Sequence, residues 1–545
     1  MYHVRYIIIA VLAAVSLTGS AQQFVVIKTH EGQEVIPAGD IERITLEQDA
    51  SFHARLLPRA IAADGRTQLF GQALQVTGLA DSLLAFADIN YPDLPEQERK
   101  FMFYTEAAWA LNEFPEVRKI SFTAFVETDD VLAVHGIHTI ADLTAYAHRV
   151  YDDFYPTDIA ITDPTDRRNA LNRFVAYHLL NRGSTYDNLT LVPGFFDREL
   201  ADVADWYQTF LPEGTLKVAR PNGTEEGLYL NRRGVQDRPD KYGVKIRGAK
   251  IVPSATGELT QTVSNGAYYY IDDMLAYDEQ TRTQVLNERW RIDFTTLSAD
   301  FMSSGLRNLS WKKEGTNWDY NNIPTFLSTH LDNFVLKEKA HVVMETYHEY
   351  YWSYGGVEVN VYPQDSDTAY DLTLGLPMLP EGDYELRLGV TTMIDVTKGL
   401  FSMNGVQLGD TVKLSSSQRR DEWETLGWRT GLPEDEQRAA DRELRANGWI
   451  RGVREFRFCT MGQNSGQTVA TPTNSMAMCD AVGVGRRILG RFHSDGRTPL
   501  QLRIQSIPYM GDEVDRPKEH YRHFALDFLE LCPTWIVDNK EIPEE

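Results

Sequence analysis

A chain of 545 residues, at roughly 100–200 residues per domain, is long enough for several folding units. Hydrophobic residues make up 42% and charged residues 24%, which supports a sizeable buried core and excludes global disorder. Asp+Glu outnumber Lys+Arg by 78 to 54, a formal charge of −24, so the cationic footprint of a nucleic-acid binder is missing. The three cysteines are too few for a disulfide scaffold.

At the N-terminus, Arg5 precedes an apolar run from Ile7 to Val15. Gly19 and Ala21 then occupy the small-residue positions of a cut before Gln22. This is the layout of a secretory signal peptide, residues 1–21. The run is too short to span a bilayer, which takes about 20 residues, and no other stretch is long and apolar enough. A buried N-terminal helix is the plainer alternative. No cysteine follows the run, so a lipobox anchor is not expected. Residues 22–48 then hold two β-branched runs around Glu31-Gly32, the pattern of a short hairpin leader.

From 66 to 278 helical stripes come first and strands later. In 139–151, Ile140, Leu143, Thr144, Ala147, Val150 and Tyr151 share one helical face, and Thr139 with Asp142 makes a capping-box-like start. A second helix is expected to open at Asp163 with Pro164 in its first turn and to end near Gly183, its stripe being Leu171, Phe174, Val175, His178 and Leu179. Strands LKVA, GLYL, YGVKIRGAKIV and GAYYYIDDML follow. Helices segregated from strands predict an α+β domain rather than βαβ units. Residues 279–339 read as a connector, with helical spacing in LNERWRIDFTTL. From 340 to 533 the period becomes two: Val357, Val359 and Val361, then Leu500, Leu502 and Ile504, then Phe524, Leu526 and Phe528. Alternating strands with turns at Pro380–Asp383 and Met403–Gly405 predict an antiparallel β-sandwich. A charged, helix-like insertion covers about 415–447, and 534–545 form a tail.

The middle region resembles the fasciclin-like (FAS1) domain. The residues carrying the resemblance are LFGQALQVTGLADSLLAF at 69–86, FTAFVETDDVLAVHGIHTIADL at 122–143, Tyr177-His178 in FVAYHLL, and SNGAYYYIDDMLAYD at 264–278. The segments 86–122 and 183–216 are longer than that pattern expects. The C-terminal region is similar, more weakly, to galactose-binding-like jelly rolls through GDYELRLGV, NGVQLGDTV and FALDFLEL. The tandem looks like fasciclin-domain proteins of the Bacteroidota. The resemblance implies an extracellular adhesion module, hence export to the periplasm or surface of a Gram-negative bacterium. It also implies a polysaccharide or an envelope protein as partner.

The candidate residues divide accordingly. Tyr177 and His178 are the partner-contact candidates the resemblance implies, although His178 on an apolar stripe suits a buried, neutral core role. Tyr350, Trp352 and Tyr354 share one face of an expected strand, where aromatic rings suit sugar stacking or core packing; Trp423 and Trp428 are similar. Asp365, Asp367 and Asp371 form an acidic turn without the glycine and distal glutamate of an EF-hand loop. The catalytic search is negative. His348-Glu349 lacks the second histidine of HExxH, Gly462–Gly466 misplaces its serine for a nucleophile elbow, and Gly483–Gly485 lacks a dinucleotide fingerprint. His520 and His523 are a weak metal pair, and no cofactor or resident metal is expected. Cys459, Cys479 and Cys532 leave the disulfide pairing open. The expected function is an exported non-enzymatic adhesion or binding protein. The alternatives are a carbohydrate-active enzyme with paired carboxylates in the sandwich, or a scaffold subunit of an envelope complex.

Overall fold

The computed structural model describes residues 8–9, 24–29, 32–37, 50–91, 100–102, 111–113, 118–190, 196–197, 203–221, 226–234, 243–303, 307, 325–327, 331–337, 340–345, 358–362, 369–391, 397–414, 424–453, 457–460, 474–477, 484–508 and 524–539. The chain divides into two compact units, Met1–Ala54 and Arg55–Glu545. In the first, strands Phe24–Thr29 and Gly32–Pro37 pair antiparallel, Thr29 opposite Gly32, forming the expected hairpin. Ile8–Ile9 run along its other edge.

The second unit opens with helices. Ile140–Tyr151 starts where the sequence places it. The Thr139 hydroxyl accepts from Asp142 N at 3.2 Å, while the Asp142 carboxylate accepts from Thr139 N at 2.9 Å, and the helix buries Leu143, Ala147 and Tyr151. The next helix is shorter than its pattern suggests. It runs from Ala170 to Tyr177 and is capped by Asn169, whose side chain accepts from Leu171 N. Asp163 instead closes a local turn, accepting from the backbone N and hydroxyl of Thr165 at 2.9 and 2.8 Å. A short acidic side chain that bonds its own neighbouring backbone competes with helix formation. The stripe therefore ends on a strand, with Leu179–Leu180 pairing to Thr123–Ala124.

That strand belongs to an eight-stranded sheet. Phe122–Glu127 is buried at every residue and runs parallel to Gly266–Ile271, Phe122 opposite Gly266 and Glu127 opposite Ile271. Ala249–Val252, Tyr229–Leu230, Thr215–Arg220 and Val203–Gln208 continue outward as antiparallel neighbours, and Gln261–Val263 folds back along Gly266–Tyr268. Mixed α+β architecture is what these residues form. The turn before Gly266 is held by Asn265, which is buried. Its side chain accepts from Leu57 N at 2.8 Å and donates to the carbonyls of Leu83 and Ala85 at 2.7 and 2.8 Å, and its own carbonyl accepts from Phe122 N. Asn265 thus ties the start of helix Leu57–Ala63 and the chain at 83–85 through its side chain, and strand Phe122–Glu127 through its backbone.

The remainder is layered antiparallel sheet. One sheet orders Trp290–Asp293, Phe528–Pro533, Gly382–Thr391, Val484–Ser494 and Trp449–Arg451. A second orders Phe334–Leu336, Asp371–Leu376, Leu500–Ile507, Thr397–Met403 and Val406–Leu414. A third joins Thr325–Leu327, His341–Glu345, Glu358–Tyr362 and Phe524–Leu526. Leu500, Leu502 and Ile504 are buried and alternate with more open residues, as period two requires. Asn404 and Gly405, at φ 47° and 80°, make the primed turn that a two-residue hairpin favours. Helix Glu434–Ala446 lies within the charged insertion.

The helical spacing in LNERWRIDFTTL does not become a helix. Trp290–Asp293 is a strand paired with Phe528–Leu531, between a π-turn at Thr281–Val285 and a 3₁₀ turn at Phe294–Thr296. Trp290 and Ile292 point into the core while Arg291 turns to Glu530, an alternation too short to outweigh the longer helical pattern. The stretch read as a connector therefore supplies a strand. It also joins the two halves directly: the Trp206 and Trp290 rings stack 5.6 Å apart at 10°. The Thr215 hydroxyl donates to Met378 O at 2.8 Å, and Met378 N donates to Gln208 Oε1 at 3.0 Å.

Candidate functional site

His178 and Tyr177 sit at the end of helix Ala170–Tyr177 and neither reaches the surface. His178 Nδ1 lies 2.7 Å from the Phe174 carbonyl, which can only accept, so Nδ1 carries a proton. Nε2 meets Glu127 Oε1 at 2.9 Å, where the same oxygen accepts from Leu275 N. Both members of the pair are fully buried. Tyr177 OH donates to Thr215 O at 3.0 Å and accepts from Asn231 Nδ2 at 2.9 Å. Burial pushes this phenol well above its usual range. Enclosed in this way, the Tyr-His pair bonds helix to sheet.

Tyr350, Trp352 and Tyr354 lie outside the described residues, as do Asp365, Asp367, Trp423, His348, Glu349, His520, His523 and Cys479. Asp371 is described and is engaged. Arg503 binds it through two nitrogens and Lys337 Nζ lies at 2.9 Å, holding its carboxyl below the usual carboxylate range despite partial burial. Trp428 is buried, and Cys532 is a buried free thiol. Among the described residues no set of three or more His, Cys, Asp or Glu is placed to hold a metal ion. Nor is any helix among them long and apolar enough to cross a membrane.

The densest charge in the sheets is equally enclosed. Glu530 has no exposed surface and meets Arg387 at 2.6 Å, Arg486 at 2.9 Å and Arg291 at 2.9 Å. Burial alone would raise its pKa, but Arg486, Arg289, Arg387 and Arg291 together hold it well below the carboxylate range. Burial brings Arg486 down to about 10 while Glu530 pulls it back. Glu385 extends the network through Arg387 at 2.7 Å and Arg445 at 2.5 Å. Removing one member of such a network would leave a buried charge uncompensated and destabilise the sheet.

An open polar site lies elsewhere, at the edge of the eight-stranded sheet. A cavity of about 380 Å³ is bordered by Arg55, Glu258, Thr260, Gln261, Thr262 and Tyr268 above a small apolar floor. The strand Gln261–Val263 lines it, and the chain at Arg55 is joined to the end of that strand, where Arg55 O accepts from Ser264 N at 2.8 Å. Glu258 is set by a tight loop: Ser254 N donates to Glu258 O at 2.8 Å, and Gly257 at φ 88° makes the bend. The Tyr268 ring lines the wall while its hydroxyl donates to Asp64 Oδ2 at 2.9 Å. Burial and the Asp64 carboxylate both push that phenol up, so it stays protonated. Among the described residues, the exposed side chains of Arg55, Glu258 and Thr262 have no hydrogen-bond or ion-pair partner. Gln261 Nε2 donates to Glu258 O.

Spacing in the sequence does not reveal this site. Arg55 and Glu258 are some two hundred positions apart, and the only local signal is the Asn265-Gly266 turn that returns the edge strand. No family model matches the chain, and no curated protein matches it. Among solved structures, the insecticidal crystal protein Cry2Aa aligns with TM-score 0.20 and 8% identity, over 74% of this chain and 69% of that one, a likeness too slight to carry an argument.

Proposed function

We propose that this is an exported, non-enzymatic binding and adhesion protein of a bacterial envelope. Its FAS1-like segment, 66–278, serves partner contact, and a jelly-roll-like unit, 340–533, is available to glycans. The observation that carries the reading is a contrast. The buried ionisable groups Glu127–His178 and Glu530 with its arginines are sealed from solvent and bonded to one another. The exposed polar groups at Arg55, Glu258 and Thr262 line an open cavity instead. Enclosed pairs cannot meet a substrate, whereas convergent polar groups in a concave site can hold a ligand. The order of helices and strands through 122–271, with its Asn-Gly turn leading into Gly266–Ile271, agrees with the fasciclin-like resemblance.

The test is retention from envelope extracts and surface polysaccharides by the immobilised, folded chain. Saturable retention of one protein or polymer supports the reading. A folded chain that retains neither overturns it, as would reproducible release of reducing ends from polysaccharide incubated with the purified protein.

A further inference from the structure

Each wall of the edge cavity offers a different half of a hydrogen bond. Arg55 supplies donors only, Glu258 acceptors only, and Thr262 both. A ligand that satisfies all three within about 380 Å³ must present both donors and acceptors. That volume is at the small end of small-molecule sites, which run about 300–1,000 Å³. Vicinal hydroxyls on a ring meet the demand, because every hydroxyl both donates and accepts. The charge argument narrows the class further. Arg55 and Glu258 bring one formal charge of each sign to the lining, so its net formal charge is zero. The chain's net charge of −24 disfavours anions at long range. Tyr268 completes the lining as a largely buried residue, its ring packed edge-on with that of Tyr270.

We propose that the cleft between Arg55 and the Glu258–Val263 edge is a saccharide site that takes a neutral sugar ring at the end of a glycan chain. The proposal rests on the binding-protein reading and places a glycan contact in the α+β half.

The test uses the full chain on a panel of immobilised neutral and uronate-bearing oligosaccharides, followed by titration calorimetry with the tightest neutral member. Arg55→Met and Glu258→Gln should each weaken Kd by ten-fold or more while the melting temperature stays within a degree or so of the parent. The site is overturned if Arg55→Met and Glu258→Gln bind like the parent. It is equally overturned if only uronate-bearing members are retained, or if the folded chain retains no saccharide. In that last case, capture of a protein from envelope extracts still upholds the binding reading, so the two failures are distinguishable.

Discussion

Asp293 carries a carboxylate into the interior with only one of its oxygens served. Oδ1 accepts from the backbone N of Thr295 at 2.8 Å and from the Thr295 hydroxyl, while the buried Oδ2 has no hydrogen-bond partner among the described residues. Burial raises its pKa to about 6 against the pull of Arg307, with Asp205 adding to the rise. The folded value therefore lies above the unfolded one of about 3.9. The folded state holds the extra proton between the two values, so stability declines as pH rises from about 4 to about 6. The decline is on the order of 3 kcal/mol. Asp293→Asn removes the titration. Its urea midpoint, followed from pH 4 to 7, should gain on the parent's through that window; parallel profiles would refute the assignment. Asp166 and Asp495 act in the opposite sense. Hydrogen bonds from Arg168 to Asp166, and from Thr498 to Asp495, bring each carboxyl down to about 2, so their contributions are lost only in stronger acid.

Gly266 decides whether the central parallel pair of strands can form. Its φ is 140°, and a Cβ there would stand 1.9 Å from Phe122 O. Gly266→Ala should therefore push Phe122–Glu127 off its partner and cost several kcal/mol, the scale of other severe backbone and packing lesions. Chemical denaturation of the purified variant, or its failure to accumulate as folded protein, measures this; a shift below about 1 kcal/mol would contradict it. The reversal ahead of Gly266 is legible in the sequence from Asn265-Gly266, although its two loop residues are Ser264 and Asn265 and Gly266 already pairs with Val263; helix Ile140–Tyr151 is legible because its cap and stripe agree. The start of helix Ala170–Tyr177 is misplaced for a local reason, since Asp163-Pro164 has the chemistry of a helix start and of a turn alike. Trp290–Asp293 is obscured because two inward residues are too few to establish a period. The cavity is illegible for another reason: its opposing walls meet only through the pairing of Gln261–Val263 with Gly266–Tyr268 and the return of the chain to Arg55.

Across the whole of Arg55–Glu545 the two halves share polar as well as apolar contacts. Arg307 binds Asp205 at 2.6 Å with both side chains buried, and Lys217 pairs with Glu288. A fragment of residues 55–278 would leave Asp205 without that cation and strip Trp206, on strand Val203–Gln208, of the indole that covers it. A buried charge deprived of its partner costs about 3–5 kcal/mol. The fragment should melt well below residues 55–545, bind a hydrophobic dye and unfold over a broad range, whereas the longer chain unfolds in one step. Equal melting temperatures would show the halves to be energetically independent. The indole pair that bridges them has an optical consequence. Two near-parallel chromophores at 5.6 Å couple their excited states, so the part of the near-ultraviolet signal of the ten tryptophans that Trp290→Phe removes reports on whether the halves are docked, with no label attached.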